Sequence, residues 1–209
     1  MADHKSDNDR MRSRLLRPLA VLGAVLVTSV AIVGACRDGD SDRPEAKEPT
    51  ETPASTPTEA PITTKATVGW VVGGLGERQK LKMKTEVSAV MDEFFDNAYL
   101  GDFPRTSFDQ AYASFTQGAR QDAERDADLL SNAGIADQID VAIGTKRRVA
   151  LDVLAAKGKA KGVTARFTLD FETDGELERH ERVKGYLLLT DEGDGWRVFG
   201  YDVIRSVIG

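Results

Sequence analysis

The chain has 209 residues, 28 Lys/Arg against 34 Asp/Glu for a net charge of −6, and 41% hydrophobic residues. The acid excess argues against nucleic acid as a partner, because that requires a basic face. A lone cysteine, Cys36, leaves no internal disulfide, so the folded part has to be held by its core.

Residues 1–18 form a basic leader in which Lys5, Arg10, Arg12, Arg14 and Arg17 outnumber three aspartates. Residues 19–36, LAVLGAVLVTSVAIVGAC, carry no charge. About 20 residues cross roughly 30 Å of hydrocarbon. The run is therefore the apolar region of a signal peptide, or a short membrane helix whose basic flank stays in the cytoplasm. Either reading places everything after it outside the cytoplasm. Its last four residues, Val33-Gly34-Ala35-Cys36, resemble the lipobox of bacterial lipoproteins. That resemblance implies acylation of the Cys36 thiol and cleavage just before it, with anchoring worth about 0.8 kcal/mol per buried CH₂. Arg37 and the long leader keep the uncleaved helix open as the alternative.

Residues 37–61 hold five of the seven prolines, no aromatic and no aliphatic side chain larger than alanine. Such a segment buries too little apolar surface to offset its ordering entropy. The expectation is a disordered linker with an upper reach of roughly 80 Å at about 3.1 Å per residue. Residues 62–209 are expected to form one domain. Trp70 is the first aromatic of the chain, and the domain carries −4 of the net charge, the linker −4 and the leader +2.

Within that domain, residues 62–75 are a β-branched run ending in Gly73-Gly74, which predicts a short strand and a turn. Its glycines lack the spacing of a phosphate loop. Met83, Val87, Val90, Met91, Phe94 and Ala98 recur every three or four residues, predicting a helix over 77–100 stopped by Gly101. Ser107 with Gln110 fits a capping box for a short helix through Phe115, and Thr116 caps a third reaching Leu130. Beyond Gly134 the period becomes two. Val149, Leu151 and Val153 alternate with polar or small residues, as do Phe167, Leu169 and Phe171. Residues 183–189 and 196–204 supply two more strands, with turns at Lys157-Gly158 and Lys161-Gly162, Asp174-Gly175 and Asp194-Gly195. The expected class is α+β: N-terminal helices packed on a curved antiparallel sheet of about four strands.

Helices followed by a sheet ending in Gly195-Trp196-Arg197-Val198-Phe199 resemble the cone-shaped superfamily named after nuclear transport factor two. With the Ala98-Tyr99-Leu100 helix end and Phe108-Asp109-Gln110-Ala111-Tyr112, the pattern is similar to the Mce-associated type of actinobacterial envelope protein. The resemblance implies a sheet curled on a helix around an apolar cavity, and no particular chemistry, since that superfamily holds enzymes and scaffolds alike. Its enzymes place an acid or base inside the cone. The candidate cavity polar groups here are Tyr99, Tyr112 and Tyr186, with Asp170 and Asp202 beside them.

His180 sits in the charged run Glu178-Arg179-His180-Glu181-Arg182 and reads as a solvated strand end. Only Glu178 would share its face, too few ligands for a metal. No catalytic, cofactor-binding or metal residue is assigned. Lys146, Arg147 and Arg148, with Lys157, Lys159 and Lys161, read as edge protection, the competing reading being contact with anionic lipid headgroups. The function expected is a membrane-anchored extracytoplasmic envelope protein, a non-enzymatic accessory or binding domain. It would hold the bilayer through Cys36 acyl chains or the 19–36 helix, and meet an envelope protein or a small apolar ligand. The alternatives are a cone-cavity enzyme of the isomerase or dehydratase type and a single-pass membrane assembly partner. A filled interior with an apolar surface patch would favour the last.

Overall fold

The computed structural model describes residues 62–209. The leader, the 19–36 anchor with Cys36, and the 37–61 linker lie outside the described residues. Among the described residues no helix is long and apolar enough to cross a membrane.

Strand β1 (Lys65–Val72) leads into α1 (Glu77–Ala98), a two-residue strand β2 (Gly101–Asp102), a 3₁₀ turn at Asp109–Tyr112, and the short helices α2 (Gln117–Arg125) and α3 (Ala127–Leu130). Four long strands follow: β3 (Ile139–Ala156), β4 (Lys159–Gly175), β5 (Arg179–Asp191) and β6 (Trp196–Val207). They form one six-stranded sheet in the order β1-β3-β4-β5-β6, with β2 pairing beside the start of β3.

This corrects the expected class. The molecule is mostly a mixed sheet with few helices, not a helical layer on four antiparallel strands. The run at 65–72 is a full sheet member, and it lies parallel to β3, with Lys65 opposite Arg148 and Val72 opposite Leu154. A parallel pair needs a crossover connection, and the chain through α1 supplies it. Local periodicity reports that a segment is extended but says nothing of its partner or direction. Gly73 turns the chain out of β1 at φ +90, where an added Cβ would lie 2.1 Å from the Ala155 carbonyl oxygen.

Of the three predicted helices, one stands near its expected bounds. α1 follows the predicted stripe, burying Met83, Val87, Met91, Phe94, Phe95 and Ala98. The capping-box helix is a single 3₁₀ turn, because Ser107 Oγ accepts from Asp109 N two residues on and not from Gln110. Thr116 does cap α2, accepting from Ala119 N, but that helix breaks at Asp126. The strands run longer than the alternation marked out, and Lys161-Gly162, predicted as turn, lies inside β4.

α1 packs across the inner face of the sheet. Phe94 stands edge-on to Phe167 at 6.3 Å, Phe95 lies 5.4 Å from Phe167, and Tyr99 lies 5.9 Å from Phe171. Arg147, 8% exposed, points inward from β3 and pairs with Asp96 at 2.5 Å and with Asp92 at 3.7 Å, tying sheet to helix. Its neighbours Lys146 and Arg148 point the other way. Arg148 lies opposite Lys65 of β1 and Thr168 of β4, so it sits inside the sheet and guards no edge. The true edge at β6 is covered: Val198 N donates to Ser114 O and Val198 O accepts from Thr116 N, both at 2.8 Å.

Candidate functional site

The interior that was to hold the cavity polar groups is packed. Tyr99, at the end of α1, is fully buried, and its hydroxyl donates to Leu129 O at 2.9 Å. Burial pushes its pKa well above the ordinary tyrosine value. Tyr112 sits 5.4 Å from Phe115 in a T-shaped contact, and burial raises its pKa too. Its hydroxyl is buried without a well-formed hydrogen bond. Ser131, the side chain acting on it, already donates to Ala127 O and accepts from Ala133 N.

Tyr99 and Tyr112 thus share one core. Tyr186 does not join them; it lies half-buried on the outer face of the sheet, in a hollow with Lys184, Asp202 and Ile204. Asp170 is also on that face, clamped by Arg182 through two hydrogen bonds of 2.7 and 2.6 Å. His180 reaches only Glu172, at 3.7 Å. Among the described residues no group of three or more His, Cys, Asp or Glu side chains is placed to hold a metal.

One buried carboxylate was not singled out from the sequence. Glu181, 1% exposed, points inward from β5 and receives Arg205 Nε at 2.5 Å. Arg205 also donates to Ser131 O at 2.7 Å, Asn132 Oδ1 at 2.8 Å and Asp128 O at 3.3 Å. Asn132 in turn donates to the Tyr99 carbonyl oxygen at 2.7 Å. With its charge matched and Arg205 spent on carbonyls, this network fastens the turn after α3 to the sheet.

The outer face has a different character. Between Val68 and Val71, β1 carries one more residue than the facing stretch of β3, a β-bulge at Gly69-Trp70. Ala66 and Val68 face the core, and strict alternation would send residue 70 inward as well. The bulge sends Val71 inward instead and turns Trp70 out, leaving it 78% exposed. Three residues hold that kink. Trp70 N donates to Asp152 Oδ1 at 3.1 Å, and Arg166 grips the same carboxylate at 2.9 and 3.2 Å. Burial alone would raise the Asp152 pKa; the Trp70 amide and Arg166 outweigh it and bring it below the usual carboxylate range. A Cβ at Gly69 would lie 2.5 Å from Asp152 Oδ1, so a larger residue there has to displace the carboxylate that holds the kink.

Trp70 and Val72 then face Leu154, Leu188 and Phe199 across a furrow of about 320 Å³ floored by Gly162 and Thr164. Val72, Leu154 and Phe199 are all more than half exposed, so the apolar surface spans the sheet from β1 to β6. Further along the same face the side chains become basic, and Lys65, Arg148 and Arg166 line a second hollow. A separate polar cleft of about 440 Å³ lies where the β5–β6 turn meets α1, lined by Lys82, Glu86, Asp191 and Asp194. Trp196 Nε1 donates to Glu86 there at 3.3 Å. Reading the sequence marked Trp70 only as a domain boundary. The signal that could have placed it is the spacing Ala66, Val68, Val71, in which the inward period slips by one at a glycine.

Compared with protein families, curated proteins and solved structures, the chain matches none.

Proposed function

We propose that this chain is a membrane-anchored extracytoplasmic protein of the bacterial envelope, a non-enzymatic accessory domain that works by binding through the outer face of its sheet. The anchoring part rests on the uncharged 19–36 run, its basic flank and Val33-Gly34-Ala35-Cys36. The binding part is carried by one observation: a glycine bulge with its own Asp152–Arg166 clamp turns Trp70 out of a core-facing register onto an apolar surface. A protein that keeps a tryptophan in water at this structural cost has a use for it there. The packed aromatic interior weighs on the same side, because it fills the space a cone enzyme would give to substrate. Kinship with Mce-associated envelope proteins is part of this proposal, resting on the three segments quoted above; the cone architecture is not.

Expression of the full chain in a bacterial host tests the anchor. The wild-type protein is expected in the membrane fraction, acylated at its N-terminal cysteine and open to external protease after outer barriers are removed. Cys36→Ala should accumulate as unacylated precursor. Normal processing of that variant would overturn the lipoprotein form, and a soluble cytoplasmic wild-type protein would overturn anchoring altogether.

A further inference from the structure

The outer face pairs its apolar end with cations that form no ion pair among the described residues. Lys65, Arg148 and Lys184 are exposed on this face and make no ion pair among the described residues. Lys157 and Lys161, at the β3–β4 hairpin end, stand in the same condition beside Leu154. Two carboxylates of this face are cancelled, Asp152 by Arg166 and Asp170 by Arg182 and Lys146, leaving Glu172, Asp174 and Asp202. The nearby Asp191 and Asp194 turn toward α1, in the cleft with Lys82 and Glu86. The helical side is mixed: α1 carries Glu77, Glu86, Asp92, Glu93 and Asp96 against Arg78, Lys80, Lys82 and Lys84, and α2 carries Asp122 and Glu124 against Arg120 and Arg125. On a domain with net charge −4, the outer face thus holds more cations than carboxylates beside its exposed aromatics.

From this we infer that the outer face of the sheet docks flat on an anionic phospholipid surface, seating Trp70, Val72, Leu154 and Phe199 at the acyl boundary and setting Lys65, Arg148, Lys184 and the hairpin lysines against phosphates. Three features favour lipid over a protein partner. Tryptophan, apolar in body and polar at its N–H, settles at the membrane–water boundary. A rim of unpaired lysines suits headgroup phosphates, whereas lysine is depleted from protein–protein interfaces. The third is proximity: on the anchoring reading, on which this inference rests, the linker keeps the bilayer within reach, so even a weak face is held at high effective concentration.

The test uses the full chain reconstituted into vesicles of phosphatidylglycerol with phosphatidylethanolamine, or of phosphatidylcholine alone, each with acyl-brominated lipid. Flotation reports anchoring; quenching of tryptophan emission by bromine reports docking. Quenching is expected in the anionic vesicles, to be lost in Trp70→Phe, since Trp196 is only 6% exposed in the core. It should be much weaker in phosphatidylcholine. The double variant Arg148→Glu/Lys184→Glu should lower the docked-to-free ratio by at least roughly 30-fold, since each cation near such a surface contributes about a fivefold factor. A chain that floats but stays unquenched in anionic vesicles overturns the docking and leaves the anchor standing. A chain that floats only with anionic vesicles, with Trp70 quenched, supports the docking and overturns the anchor. Shielding of Trp70 from acrylamide in native envelope vesicles, with no quenching in pure lipid, overturns the inference in favour of a protein partner.

Discussion

Removing the Arg205 side chain tests the packing argument most directly. Arg205→Met keeps the aliphatic bulk above Phe171, whose ring the guanidinium overlies at 5.8 Å. It leaves the Glu181 carboxylate, 1% exposed and without a hydrogen bond at Oε1, with only the longer Arg179 contact at 3.8 Å. It also takes a donor from Ser131 O and Asn132 Oδ1. Breaking a buried ion pair from one side costs about 3–5 kcal/mol. For a domain of this size that lowers the thermal midpoint by roughly 8–15 °C. Glu181→Leu/Arg205→Met removes the stranded charge and leaves only the two short-changed acceptors, worth about 1–3 kcal/mol. The double variant should therefore be more stable than Arg205→Met alone. The assay is thermal and urea unfolding of the wild type, both single variants and the double variant, followed by near-ultraviolet circular dichroism. If Arg205→Met loses less than about 1 kcal/mol, or if the two losses simply add, the network is not a buried coupled pair and the reasoning fails.

Phe95→Ala, at a fully buried position against Phe94 and Phe167, should cost about 3–5 kcal/mol in urea unfolding. Gly185→Ala puts a Cβ 2.0 Å from the Asp202 carbonyl oxygen, so β5 and β6 must part; a loss above about 2 kcal/mol is expected, with faster amide exchange along that pair. Asp170 has its pKa held below the usual carboxylate range, first by the Arg182 hydrogen bonds and then by the Arg182 and Lys146 charges. Its stabilisation is present above the unfolded value of about 4 and is lost as pH falls through the lower folded value. Asp170→Asn should lower the urea midpoint at neutral pH and flatten its fall on the acid side.

Much of the fold was legible because it depends on near neighbours. The 77–98 stripe, the Thr116 cap and the Lys157-Gly158 and Asp194-Gly195 turns are local devices, and the structure uses all of them. What failed was partnership. Residues 65–72 look extended whichever strand they join, and the parallel pairing with β3 arises from a crossover that no local pattern records. The candidate site failed for a related reason. Tyr99 and Tyr112 were chosen as polar groups near a presumed cavity, yet side-chain volume fills that space. Trp70 was passed over because an exposed and a buried aromatic look alike until the register of the strand is known. The basic cluster at 146–148 divides in the same way, Arg147 inward and its neighbours outward, once β3 is seen to lie inside the sheet.

The Ser114–Thr116 strap across Val198 has a further consequence. An exposed sheet edge is a template on which another chain can pair. Here the β6 edge has its Val198 amide and carbonyl taken by the protein's own backbone, and the β1 edge is kinked at Gly69-Trp70 with Lys65 at its start. Both rims are interrupted, the first at Val198 and the second at the bulge. A second copy meets the β6 ladder already occupied at Val198 and the β1 ladder bent at its middle, two interruptions to a continuous ribbon of paired edges.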